Sequence, residues 1–133
     1  MIHPSPFLRR ALQIDAIFSG VSALMLVLGA GILAPLTNLP ESFLRDTGLV
    51  LVIFVLGVGY LASREMMPKL AVWAVIAVNA VWTIDSLALL VSGWVSPNLL
   101  GQVFIVMQAI AVGVFAELEF IGLRRSADAL AAR

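Results

Sequence analysis

The chain lacks cysteine altogether and has a single histidine, His3, among its 133 residues. Without cysteine, disulfides, thiol redox chemistry and thiolate metal sites are all excluded. One histidine, beside Pro4 in the N-terminal segment, cannot provide the two axial ligands of a bis-histidine haem and is expected to be an exposed tail residue. The sequence also contains no HExxH motif and no glycine-rich phosphate loop. We therefore predict no catalytic residues, no metal site and no cofactor.

Charge is the second shortage. Charged residues make up 12% of the chain, about half of the roughly 25% that is typical of soluble domains. The eight basic and eight acidic residues cancel and form no basic block, which gives no indication of a nucleic-acid partner. Hydrophobic residues reach 62%, and the mean hydropathy is +1.07. A soluble domain of this size needs more polar surface, so the composition predicts an integral membrane protein whose main partner is the lipid bilayer.

Long apolar runs separated by prolines predict the spans. A helix of about 20 apolar residues crosses the roughly 30 Å hydrocarbon core. Pro35 and Pro40 flank the first loop, Pro68 opens the third helix, and Pro97 precedes the fourth. These signals predict an all-α fold: one integral membrane domain over residues 1–133, a four-helix transmembrane bundle with spans at about 12–33, 47–63, 70–92 and 99–123.

Basic residues predict the orientation. With the predicted spans, seven of the eight lie on one side of the membrane, and only Arg45 lies on the other. The positive-inside rule then places both termini in the cytoplasm, in the inner membrane if the source is bacterial. The seven residues are Arg9, Arg10, Arg64, Lys69, Arg124, Arg125 and Arg133.

The first and third spans resemble each other at an offset of 64 residues. Polar and small residues recur together in this echo, which pairs Asp15 with Asn79, Ser19 with Thr83, Ser22 with Ser86 and Gly29 with Gly93. The pattern predicts two tandem helical hairpins, a 2+2 repeat about an axis along the membrane normal, with the first and third helices facing each other. Each stripe lies on one helix face, where it either packs the two hairpins together or lines a cavity.

Asp85 is the single residue that most strongly indicates a functional site. It lies nine residues, or about 13 Å of helix, before Trp94 and therefore inside the hydrocarbon. It also breaks the echo, since its counterpart is Val21. One interpretation is structural: Asp85 is protonated, or is paired with a donor from Asn79, Trp82 or Gln108. The other is a carboxylate that carries a proton or binds a cation, because an intramembrane acid is a functional hypothesis by default.

The fourth helix adds Gln108 at mid-depth and two acids, Glu117 and Glu119, near the cytoplasmic end. If the helix faces meet, polar groups form a discontinuous path, with an inner acid group, a middle amide pair of Asn79 and Gln108, and Asp85 outermost. Alternatively, Glu117 and Glu119 only neutralise the nearby arginines. The candidate intramembrane site comprises Asp85, Asn79, Gln108, Asp15, Trp82, Ser86 and Thr83, with Glu117 and Glu119 at its cytoplasmic end.

A family resemblance rests on layout. Four short spans, the LRRAL motif at residues 8–12 before the first span, and a repeated hairpin resemble small four-helix bacterial inner-membrane proteins, loosely similar to the DoxX-like group. Some members of that broad group are associated with quinone or thiol redox systems. A thiol role does not carry over to this chain, because it has no cysteine.

Three classes of function follow. The leading one is a non-enzymatic membrane protein that serves as a scaffold, binds a lipid-like ligand, or acts as an accessory subunit. Its expected protein partner is a second copy of the chain, in a homodimer, or another membrane protein. The second is a small proton- or solute-conducting transporter or channel that uses Asp85, which requires Asp85 to face the bundle interior. The third is a quinone-linked membrane redox protein.

Overall fold

The computed structural model describes residues 1–128, and Arg133 of the basic set lies outside the described residues. The protein is an all-α bundle, as the sequence predicted, with four helices and a two-residue β-ladder. Each helix includes one predicted span. The helices are α1 (Pro6–Thr37), α2 (Glu41–Ser63), α3 (Lys69–Ser92) and α4 (Leu99–Arg125). The ladder pairs β1 (Ile2–His3) with β2 (Ala127–Asp128).

Local chemistry sets the helix ends. The Ser5 side chain accepts the Leu8 N–H at 3.1 Å and caps α1, and Asn98 caps α4 by accepting the Gly101 N–H at 2.9 Å. Asn38 ends α1 in the left-handed region, with φ of 56°. Pro35 lies inside the last turn of α1. The proline therefore removes one backbone hydrogen bond, and the helix ends two residues later.

The four helices do not pack equally against one another. Helix α1 packs along α2 and α4, and α3 packs along α4, whereas neither α1 and α3 nor α2 and α3 pack closely. A repeat about a two-fold axis makes the α1–α4 seam equivalent to the α2–α3 seam. In the structure the first is closed and the second is open. Helices α1 and α3 were expected to face each other. In the structure only polar side chains connect them.

Apolar side chains pack in two clusters. The inner cluster lies at the end that carries both termini and includes Ile2, Leu8 and Met67, all almost fully buried. A bridge between Ile2 and Met67 adds two backbone hydrogen bonds, so the N-terminal segment belongs to the fold, while His3 is exposed. The outer cluster lies at the opposite end and includes Leu26 and Leu44. Buried polar groups occupy the space between the two clusters.

Glycines allow close helix contacts at two crossings of α1. A Cβ on Gly48 would lie 2.8 Å from Leu26 Cβ, where α2 crosses α1. A Cβ on Gly122 would lie 2.8 Å from Leu8 Cα, where α4 crosses α1. No side chain larger than hydrogen fits at either crossing, so small residues bring α1 close to both neighbours.

The lateral surface of the bundle is apolar. Large hydrophobic side chains such as Leu28, Ile53, Leu70 and Val91 are exposed, which is the reverse of a soluble bundle. All four helices are long and apolar enough to cross a membrane, with mean hydropathies of 1.9 to 2.2 in their most apolar windows. The chain thus has the features of a multi-pass membrane protein.

Candidate functional site

A buried acid cluster lies between the two apolar clusters. Asp15 from α1, Asn79 from α3 and Glu119 from α4 are at most 3% exposed. The Asn79 Nδ2 donates to Asp15 Oδ2 at 2.8 Å and to Glu119 Oε1 at 2.7 Å. The hydroxyl of Ser19 donates to Asp15 Oδ1 at 3.0 Å. One amide thus bridges two carboxyl groups and joins three helices in the interior of the bundle.

No basic side chain compensates this cluster among residues 1–128. On α1, Arg10 is exposed, and Arg9 donates to backbone carbonyls at the end of α2 and in the loop after it. Within those residues the single ion pair joins Arg45 to Glu41, at the opposite end of the bundle and on the surface. In addition, Glu119 Oε2 is buried without a hydrogen-bond partner. A buried acceptor left unpaired is costly and calls for a physical explanation.

A second polar cluster joins α3 to α4. The Trp82 Nε1 donates to Gln108 Oε1 at 2.9 Å, and Gln108 Nε2 donates to Ser86 Oγ at 2.9 Å. Gln108 Nε2 also lies 2.9 Å from the Ile105 carbonyl oxygen. Thr83 donates to the backbone carbonyls of α3 and α4. These contacts hold the indole and the amide in fixed orientations, because the indole N–H and both the oxygen and the nitrogen of the Gln108 amide are engaged.

All four helices line a small cavity in the outer half of the bundle, with a volume of about 110 Å³. Its wall is mainly apolar and includes Phe18, Phe43 and Leu89. A few polar groups interrupt this wall: Ser19, Ser22, Thr47, Ser86 and Gln108. Such a mainly apolar space with few polar groups is typical of small-molecule sites.

A cleft of about 500 Å³ between α2 and α3 adjoins the cavity. Five residues line both spaces: Phe43, Thr47, Trp82, Ser86 and Leu89. The cleft lies where α2 and α3 fail to pack, and Asp85 and Trp94 lie along it. The cavity therefore adjoins the open side of the bundle.

Asp85 lies outside the bundle interior. Its side chain is exposed along the cleft and bonds none of the three donors suggested for it. Asn79 donates to the acid cluster instead, while Trp82 and Gln108 are engaged with each other. The pairing suggested for Asp85 does not form, because the rotation of α3 turns Asn79 and Trp82 towards α1 and α4 and leaves Asp85 along the cleft.

The other predicted residues divide into the two polar clusters. The structure brings Asp15, Asn79 and Glu119 together, while Glu117, two residues away, is exposed. The predicted middle pair of Asn79 and Gln108 does not form, since each amide belongs to a different cluster. The reason is the rotation of each helix about its own axis, which decides which side chains meet. A repeat in the sequence does not determine this rotation.

Sequence reasoning missed the contribution of α2. Phe43 and Thr47 line both the cavity and the cleft, but the echo involves only the first and third spans. The available signal was Thr47, one of the few polar residues in the predicted span 47–63. Ser19 was visible in the polar stripe but was not placed in the candidate site, although it connects the acid cluster to the cavity.

Chemically, the site offers hydrogen-bond acceptors. The hydroxyls of Ser22, Thr47 and Ser86 each donate to a carbonyl of their own helix, so their free capacity is the oxygen lone pairs. Among the described residues, no group of three or more potential metal ligands occurs. No protein-family model, no curated protein and no solved structure matches the chain.

Proposed function

We propose that the chain is a multi-pass inner-membrane protein that binds a lipid-like molecule in the cavity, which enters from the bilayer through the cleft. The observation that carries this proposal is the lateral cleft between α2 and α3, which shares five lining residues with the cavity. An opening on the side of a membrane bundle admits molecules dissolved in the hydrocarbon. Both termini face the cytoplasm in this proposal, because the basic residues gather at their end of the bundle.

The hydrogen-bonding pattern suggests the chemical class of the head group. Donors in the cavity are engaged inside the protein: Trp82 Nε1 with Gln108, and Gln108 Nε2 with Ser86 and a backbone carbonyl. The hydroxyl hydrogens are engaged as well. Free lone pairs accept a hydrogen from the ligand, so the preferred head group is a neutral hydroxyl.

The dimensions favour a ligand that divides between two spaces. The cavity of about 110 Å³ is well below the volume of a site for a whole drug-sized molecule, for which about 300–1,000 Å³ is usual. It holds a head group, and the apolar remainder lies in the cleft of about 500 Å³. We therefore favour a long-chain or isoprenoid alcohol.

The test is photolabelling in nanodiscs with a long-chain alcohol that carries a diazirine near its hydroxyl. Ala88 lines the cleft, so Ala88→Trp narrows it from the surface without entering the core. Leu87 is exposed, lines neither space and lies about 100° around the helix, so Leu87→Trp is the matched control. We expect labelling of cavity residues in the wild type and in Leu87→Trp, and a loss of most of it in Ala88→Trp.

A methyl ether of the same chain tests the head group, because it accepts hydrogen bonds but donates none. We expect the ether to compete less well than the alcohol. Equal labelling of all three proteins, spread over the outer surface, would contradict the proposal. Stronger competition by a quinone of matched chain length would favour the redox protein of the quinone-linked class instead.

The remaining candidates have less support. Transport through Asp85 required that residue to face the interior, whereas its side chain is exposed along the cleft. Scaffold and accessory-subunit roles are compatible with the same bundle, but no feature of the cavity favours them. The resemblance to DoxX-like proteins and the bacterial source remain part of this proposal.

A further inference from the structure

Two carboxyl groups lie together in the interior of the bundle. Asp15 and Glu119 accept from the same nitrogen of Asn79, so their bonded oxygens are separated by less than the sum of two hydrogen bonds. Both residues are fully buried. Two negative charges this close, out of water, repel each other strongly, so such a pair holds a proton or binds a cation.

No other charged group offsets this pair among residues 1–128, on any of the four helices. On α1, Arg9 bonds to backbone carbonyls and Arg10 is exposed. The charged residues of α2 lie in its first turns, and on α3 Lys69 lies ten residues before Asn79, about 15 Å along the helix. On α4, Glu117 is exposed and Arg124 stacks over the Phe120 ring.

The hydrogen bonds distinguish the two acids. Asp15 accepts two bonds, one at each oxygen, from Ser19 and Asn79. Glu119 accepts one bond at Oε1, and its Oε2 has no partner. Accepted bonds stabilise an anion, whereas an unpaired oxygen of a buried anion is costly. Asp15 is therefore the better anion, and Glu119 is the neutral acid that carries the hydrogen.

Ser19 connects this pair to the cavity. Its hydroxyl donates to Asp15 Oδ1 and also lines the cavity wall. A hydroxyl both donates and accepts, so it can pass a proton between a carboxylate and a molecule in the cavity. On the other side, the inner apolar cluster separates the pair from the end of the bundle. Exchange therefore takes place on the cavity side.

We propose that Asp15 and Glu119 form a buried proton-binding site that exchanges its proton with the cavity through Ser19. The proton-binding pair stands on its own contacts, while the exchange route rests on the proposed function, in which the cavity is accessible from the bilayer. A ligand head group in the cavity would then cover Ser19 and slow the exchange.

The experiment is infrared difference spectroscopy of the full chain in lipid, in H₂O and D₂O buffers at neutral pH. A protonated carboxyl group gives a C=O stretching band separate from that of carboxylates. Labelling the wild-type protein with ¹³C at the glutamate side-chain carboxyl shifts the band if a glutamate carries the proton. We expect this shift, the same band in Glu117→Gln, and its loss in Glu119→Gln.

The isotope result needs no variant, so a folding defect in Glu119→Gln does not leave the proposal untested. If the glutamate label does not shift the band, or if no band appears, the proposal that Asp15 and Glu119 bind a proton is overturned. For the route, Ser19→Ala should keep the band but slow its shift in D₂O several-fold, and the long-chain alcohol should do the same in the wild type. An unchanged rate in Ser19→Ala overturns the route. Photolabelling does not depend on these infrared bands, so failure of the cavity proposal can be distinguished from failure of the proton-binding site.

Discussion

Asn79 is the position at which a single substitution should test the buried network most directly. The Asn79 Nδ2 makes two hydrogen bonds, of 2.8 Å to Asp15 and 2.7 Å to Glu119, and it is 3% exposed. Asn79→Leu removes both bonds and keeps a side chain of similar size. The change therefore separates the loss of hydrogen bonding from the formation of a cavity.

The expected cost follows from the number of groups left unpaired. The substitution leaves Asp15 Oδ2 and Glu119 Oε1 without a donor, in addition to Glu119 Oε2, which already has none. An unsatisfied buried group costs about 1–3 kcal/mol, whereas interhelical hydrogen bonds in membranes average about 0.6 kcal/mol. For the two newly unpaired groups together these limits are about 1 and about 6 kcal/mol, and between them we expect Asn79→Leu to lower the free energy of unfolding by about 2–4 kcal/mol.

The assay is reversible unfolding in mixed micelles, with helicity as the signal. Asp85→Asn is the matched control, since Asp85 is an exposed polar residue of the same helix. We expect the control to lie within about 0.5 kcal/mol of the wild type. A double-mutant cycle with Glu119→Gln should give a coupling of about 0.5–3 kcal/mol, since the two side chains are in contact. Asn79→Leu as stable as Asp85→Asn would refute the claim that this amide holds the network together.

Two further predictions concern the inner end of the bundle. Gly122→Ala places a Cβ 2.8 Å from the Leu8 backbone and should cost about 1–3 kcal/mol of unfolding free energy in the same micelle assay. Gly57→Ala, where the space is open, should cost nothing, and equal losses would disprove the close crossing. Arg9→Ala removes hydrogen bonds to the end of α2 and the loop after it, so limited trypsin should cut that loop several-fold faster. Arg10→Ala is the control because Arg10 is exposed, and an identical effect of both would exclude the Arg9 contacts as the cause.

Much of the fold was predictable because it depends on local properties. Apolar runs of sufficient length predict helices, since a backbone in hydrocarbon must satisfy its own hydrogen bonds. Short turns with Asn38, Pro40, Pro97 and Asn98 then make neighbouring helices antiparallel. The echo at an offset of 64 residues drew attention to Asp15 and Asn79, which are in fact hydrogen-bonded to each other.

The sequence did not predict how each helix is rotated about its own axis. Glu117 and Glu119 are two residues apart and lie at nearly the same depth, yet one is exposed and the other fully buried. A mainly apolar helix in lipid has no polar face that reveals which side points inward, so composition does not separate the two. The same reason explains the exposure of Asp85.

The sequence by itself determined that this chain forms four membrane-length helices and that polar residues lie within the first, third and fourth spans. Those features follow from chain chemistry acting over a few neighbouring residues. The tertiary structure decided which polar groups meet, that α1 and α4 close one seam, and that α2 and α3 leave the other open. Such choices depend on close packing at a few small residues, such as Gly48 and Gly122, and on contacts between residues distant in the chain.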